Sequence, residues 1–141
     1  MANQPLYQPL WVSHTKLLAH YRMYLARLLK PVSIESAQRL LDDGAVAGDA
    51  IEDQEALGVL IGDELVRTAG FEWVTVDDGY GSEPVVAHPH KLAVIAPVSA
   101  VINRFEDGDI PFGIQAFIQE ALATVTDVDA GDRNSSLNGL R

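Results

Sequence analysis

The chain has 141 residues, 48% of them apolar, enough for one domain with a real core. It has no cysteine, which excludes disulfides, thiolate catalysis and cysteine-bound zinc. A formal net charge of −10 opposes binding to nucleic-acid phosphate or an anionic membrane; it would attract a basic protein partner, although keeping the chain in solution is the simpler reading.

Met1 to Val12 reads as an irregular arm. Pro5 and Pro9 interrupt it before any apolar run forms, so it lacks the order of a secretory signal, and a cytoplasmic location is expected. Leu6, Tyr7, Leu10 and Trp11 are apolar enough to dock on the body. Ser13 is a candidate N-cap for a first helix. Leu17, Leu18, Tyr21, Leu25, Leu28 and Leu29 give that helix its stripe, and Pro31 requires it to end by Lys30. Ser33 starts a second helix on Ile34, Ala37, Leu40 and Leu41, closed by Asp42-Asp43-Gly44.

A third helix is expected from about Glu52 to Ala69, with Leu57, Leu60, Ile61 and Leu65 inward and Gly70 as its stop. Gly58 and Gly62 lie on one face of it. Each costs about 1 kcal/mol relative to alanine, which close approach of a neighbouring backbone would offset. Phe71 to Val76 alternates as a strand, with Phe71, Trp73 and Thr75 on one face and Glu72, Val74 and Val76 on the other. The turn Asp77-Asp78-Gly79-Tyr80-Gly81 leads to a second strand over Val85-Val86-Ala87-His88, and Leu92 to Ala96 reads as a third, covered on both faces. Pro97 opens a fourth helix on Val98, Val101, Ile102 and Phe105, and Ile110 to Val125 forms the last. Residues 126 to 141 read as a disordered tail. The expected architecture is α+β: three N-terminal helices, a three-stranded antiparallel meander and two C-terminal helices, in one domain over residues 13 to 125.

Charge is unevenly placed. Residues 1 to 34 carry Lys16, Arg22, Arg27 and Lys30 and no carboxylate, whereas residues 35 to 83 carry thirteen carboxylates against Arg39 and Arg67. Pairing of the basic first helix with acidic neighbours accounts for this better than nucleic-acid binding through Tyr21 and Tyr24. The candidate contact surface for a basic partner comprises Asp42, Asp43, Asp49, Glu52, Asp53, Glu55, Asp77 and Asp78.

Reactive constellations are weaker. His88 and His90 flank Pro89 and would need Glu83 or Asp78 to complete a metal site, so a surface turn is the simpler reading. Asp77, Asp78 and Glu83 are candidates for acid–base work, although aspartate before glycine is what tight turns use. Asp127, Asp129 and Asp132 lack the glycine and the distal glutamate of a calcium loop. Ser13 and His14, or Ser99 with the histidines, form no recognisable nucleophile arrangement, and no glycine pattern indicates a nucleotide. Arg104 is expected to anchor the Asp77-Asp78 turn.

Leu57-Gly58, Leu60-Ile61-Gly62-Asp63-Glu64, Trp73-Val74, Val76-Asp77-Asp78, Tyr80-Gly81, Pro97 and Asn103-Arg104-Phe105-Glu106-Asp107-Gly108 together resemble domain-of-unknown-function family 3806, over about residues 20 to 122. Ala87-His88-Pro89-His90 departs from the more polar, basic entry usual there. The resemblance implies a small bacterial α+β protein and brings no catalytic residues or cofactor with it. The expected function is a non-enzymatic module binding a basic protein, of immunity or regulatory type, by analogy with small acidic toxin-neutralising proteins. The alternative is a metal-dependent hydrolase using Asp77, Asp78, Glu83, His88 and His90. A homodimer through the first helix or an open sheet face is a further expectation.

Overall fold

The computed structural model describes residues 5 to 125. The sequence-predicted tail and the aspartates within it lie outside the described residues. The order is β1 (Leu6–Pro9), α1 (Val12–Leu28), α2 (Ile34–Asp42), α3 (Ile51–Ala69), β2 (Glu72–Asp77), β3 (Ser82–Ala87), β4 (Val94–Ile95), α4 (Pro97–Glu106) and α5 (Ile114–Ala123). The strands form one antiparallel sheet in the order β1-β2-β3-β4.

The fold is α+β, as expected, but the sheet has four strands rather than three. The arm is not irregular: Leu6 to Pro9 pair with Asp77 to Val74. Pro9 is tolerated here because β1 is an edge strand, with one side of its backbone free of ladder hydrogen bonds. The following helix starts at Val12, and Ser13 does not cap it. Its start is set from the sheet instead, by the Trp11 amide donating to Thr75 Oγ1 at 2.9 Å.

β2 and β3 each run further along the hairpin than the apolar pattern indicates, to Asp77 and from Ser82. β4 is reduced to two residues. Upstream, the 88–93 segment folds back on itself, with His88 N bonding Ala93 O and Ala93 N bonding Lys91 O, which takes Leu92 and Ala93 out of a regular strand. Downstream, Ala96 is already the N-cap of α4. The last helix begins at Ile114 rather than Ile110: Pro111 biases Ile110 before it away from helical backbone, and Gly113, the N-cap, is extended at φ −80°, ψ 114°. Gln38 holds that start to α2: its Oε1 accepts from Ile114 N at 2.8 Å and its Nε2 donates to Phe112 O at 3.0 Å.

Other boundaries follow the sequence. Ser33 caps α2 by accepting from Ser36 N at 3.1 Å. Gly70 ends α3 in the left-handed conformation, φ 76°, which glycine reaches without a Cβ penalty.

α3 is the spine of the molecule. It packs most extensively on α4, then on α1, and touches α2, α5 and the sheet. Leu57, Ile61 and Leu65 are fully buried along it. Both glycines are contact points. A Cβ on Gly58 would lie 2.5 Å from Val98 Cα, 2.9 Å from Val98 N and 3.0 Å from Pro97 O, so the first turn of α4 rests on bare helix backbone. A Cβ on Gly62 would overlap the Trp73 indole, and Pro97 Cγ would lie 3.2 Å away.

Trp73, Val86 and Ile95 lie side by side across the sheet and join the main core with the helices. The opposite face carries a smaller apolar cluster of Val74, Val85 and Ala87, flanked by Tyr7, Val76 and Val94. No helix among the described residues is long and apolar enough to cross a membrane.

Candidate functional site

The basic first helix and the acidic third helix meet along a polar seam. Arg22 donates twice to Asp63, Nε to Oδ2 at 2.9 Å and Nη2 to Oδ1 at 2.8 Å. Asp63 Oδ1 also accepts from Trp73 Nε1 at 2.9 Å, so one carboxylate ties α1, α3 and the sheet together. Further along, His20 Nε2 meets Glu52 at 3.0 Å, Tyr24 O–H donates to Asp53, and Tyr21 O–H donates to Glu55 at 2.7 Å. The hydrogen bond to Asp53 holds the Tyr24 hydroxyl up at about 12. Burial, then Glu55, raises Tyr21 as well. Three of the eight residues proposed from sequence for partner contact are therefore engaged within the chain.

The remaining five divide into two groups. Asp77 Oδ1 accepts from Gly79 N, and Asp78 Oδ1 from Tyr80 N and Gly81 N, each at 2.9 Å. These two aspartates build their own turn, as aspartates before glycine do. Asp42, Asp43 and Asp49 are exposed around the α2–α3 connection, Asp42 accepting from Gln38 Nε2 at 3.0 Å. Among the described residues none of these three forms an ion pair.

The hairpin does not assemble a metal centre. Among the described residues no group of three His, Asp or Glu could hold one ion. His88 Nδ1 accepts from His90 N at 3.0 Å, and the His88 ring packs edge-on to Phe71 at 5.5 Å. Glu83 turns to Ser99 on α4, whose Oγ donates to Oε2 at 2.7 Å. Arg104 does not reach the Asp77-Asp78 turn either. It pairs with Asp109 at 2.9 Å and lies over the Phe112 and Phe117 rings, because the loop after α4 folds back beside it.

A cavity of about 280 Å³ opens between α1, α3, β3 and α4. Its polar lining is His14, Tyr21, Glu55, Ser82, Glu83 and Ser99. His14 is 8% exposed and stacks on Trp11, with ring centroids 5.4 Å apart and an interplanar angle of 12°. Its Nδ1 lies 2.8 Å from Thr75 Oγ1. That fully buried hydroxyl already accepts from the Trp11 amide, and His14 Nδ1 is the acceptor within reach of its single proton. The distance fits either tautomer, and satisfying the buried Thr75 proton favours the one with the ring proton on Nε2. Burial pushes the His14 pKa down, against an opposing pull from Glu83, which favours the neutral ring.

Sequence reasoning passed over this histidine. Its signal was spacing: His14, Leu18, Tyr21 and Leu25 fall at i, i+4, i+7 and i+11, which places His14 on the buried stripe of α1. Thr75 was the other sign, a hydroxyl on the helix-facing side of a strand, where burial demands a partner.

No curated protein matches the chain. A crystal structure at 1.50 Å of a protein from Bacteroides thetaiotaomicron VPI-5482 shares the fold, with a TM-score of 0.75 at 19% sequence identity, over 86% of this chain and 48% of that one. The chain therefore spans about half the length of that protein. The family model described as a domain of unknown function, DUF3806, matches residues 33–117, from the cap of α2 into α5 and including the two α3 glycines, Asp63 and Trp73; the chain belongs to this family.

Proposed function

We propose that the chain is a non-enzymatic protein-binding module of immunity or regulatory type, which takes a basic partner at the α2–α3 corner. The supporting observation is that Asp42, Asp43 and Asp49 stay exposed without a cation among the described residues, and that Ile51, on the same α2–α3 connection, is a large apolar side chain left 47% exposed. Carboxylates that stabilised this fold would be paired or turned to backbone amides, as Asp63, Asp77 and Asp78 are. Exposed acids without a cation among the described residues, on the same connection as an exposed apolar residue, suit a surface that is covered only in a complex. Glu52 borders it and can exchange its half-exposed His20 contact, of little worth at the surface, for a partner's cation.

A pull-down with the intact chain, repeated with Asp42, Asp43 and Asp49 all changed to asparagine, tests this reading. One dominant basic partner is expected, bound about tenfold more weakly by the triple variant and released steeply as salt is raised. Equal retention by both proteins, or binding indifferent to salt, would contradict it.

A further inference from the structure

The cavity between α1, α3, β3 and α4 shares no residue with the α2–α3 corner. We infer that it binds a free, neutral polyol of one-ring size, a vicinal diol on a compact carbon frame as in a single sugar, with the hydroxyls set between the Nε2 edge of His14 and the carboxylates of Glu83 and Glu55.

The argument for a neutral hydroxyl begins at His14, which lines the cavity and is more than nine-tenths buried. Trp11 stacks on its ring and Thr75 takes Nδ1, so what this side chain offers to the cavity is its Nε2 edge. On the favoured tautomer that edge carries an N–H, and nothing among the described residues accepts it. A buried donor left open is costly, so the site calls for an acceptor. Two carboxylates line the same cavity and no lysine or arginine does, which disfavours an anion as that acceptor. An ammonium head fails for the opposite reason, having no lone pair to take the imidazole proton. A hydroxyl meets both conditions: its oxygen accepts from His14 while its own proton goes to a carboxylate. Glu83 and Glu55 are placed to receive such protons. Each is held by one oxygen only, Glu83 Oε2 by Ser99 and Glu55 Oε2 by Tyr21, and each keeps a second oxygen that no protein donor takes among the described residues. Two open acceptors, one on β3 and one on α3, suit two hydroxyls better than one. The rest of the wall is apolar, including Leu17, Val59, Val98 and Ile102. Water finds no hydrogen-bond partner on that side, whereas the C–H face of a ring packs against it. At about 280 Å³ the cavity is at the small end for ligand sites of roughly 300–1,000 Å³, which fits one ring and not a nucleotide.

The test titrates trans-cyclohexane-1,2-diol into the intact chain, followed by NMR at the His14 ring nitrogens. Cyclohexanol, cyclohexylammonium and cyclohexanecarboxylate serve as one-hydroxyl, cationic and anionic analogues on the same ring. Saturable shifts with the diol are expected, at an affinity about tenfold above that of cyclohexanol, with neither ion bound better than cyclohexanol. Glu83→Gln and Glu55→Gln should each weaken the diol about fivefold, because a hydroxyl donates more strongly to a carboxylate than to an amide. Thermal unfolding of both variants is checked so that a folding defect is not read as lost binding. No saturable shift with the diol, equal binding of cyclohexanol, tighter binding of either ion, or diol binding unchanged in both variants would overturn the inference.

Discussion

Gly58→Ala should destabilise the protein by about 2 kcal/mol, although the same change in an ordinary helix interior stabilises by about 1 kcal/mol. The sign reverses because the new methyl would meet backbone, Val98 Cα at 2.5 Å and Val98 N at 2.9 Å, and not a side chain able to rotate away. α4 would have to lift off α3 along their most extensive contact. Overpacking of this kind costs about 1–3 kcal/mol, occasionally more, which outweighs the gain in propensity. Urea unfolding should show a lower midpoint with an unchanged slope, and thermal unfolding a fall of about 5–10 °C. A variant as stable as the parent would mean that the α3–α4 contact is looser than these distances.

Asp63→Ala should cost a similar amount, about 2 kcal/mol, by a different route. It leaves the half-buried Trp73 indole N–H without its acceptor and Arg22 without its two-pronged partner. Asp63→Asn separates the two. Its carbonyl can still accept from Trp73, while the Arg22 pair, about half exposed on the arginine side, loses a charge worth little in water. The asparagine variant should therefore lose less than half as much stability, and its tryptophan emission should stay closer to the parent's. Equal losses in the two variants would place the energy in the ion pair.

These two residues show what kind of information the sequence held. The glycine pair on one helical face, at a known cost in propensity, called for a close neighbour, and α4 and Trp73 are that neighbour. Helix ends were legible wherever one residue type decides them, as at Ser33 and Gly70. Strands were legible where the pattern alternates. β1 was not, because four residues with a proline carry almost no periodic signal and an edge strand is defined by its partner. β4 and α5 were drawn too long, since apolar runs show where burial occurs but not where a tight turn or Pro111 removes the backbone from its ladder.

The acidic residues were legible as composition and not as roles. Nothing local distinguishes Asp63, which joins three elements, from Asp49, which no side chain binds among the described residues. Thr75 and His14 are 61 residues apart, and their hydrogen bond depends on the fold bringing β2 beneath α1. The cavity is a property of four elements together, and each contributes residues that read singly as ordinary.

The join between α1 and the sheet runs through the buried His14–Thr75 pair, so one titration bears on it most directly. A neutral imidazole is favoured in the fold, so the stability it brings is fully present above the unfolded value of 6.5 and declines as pH falls through 6.5 toward the lower folded midpoint. NMR of the His14 ring nitrogens across this range should show a midpoint below 6.5 and, above it, a proton on Nε2 with Nδ1 bare. A midpoint at or above 6.5, or a proton on Nδ1, would contradict a buried neutral ring that accepts from Thr75.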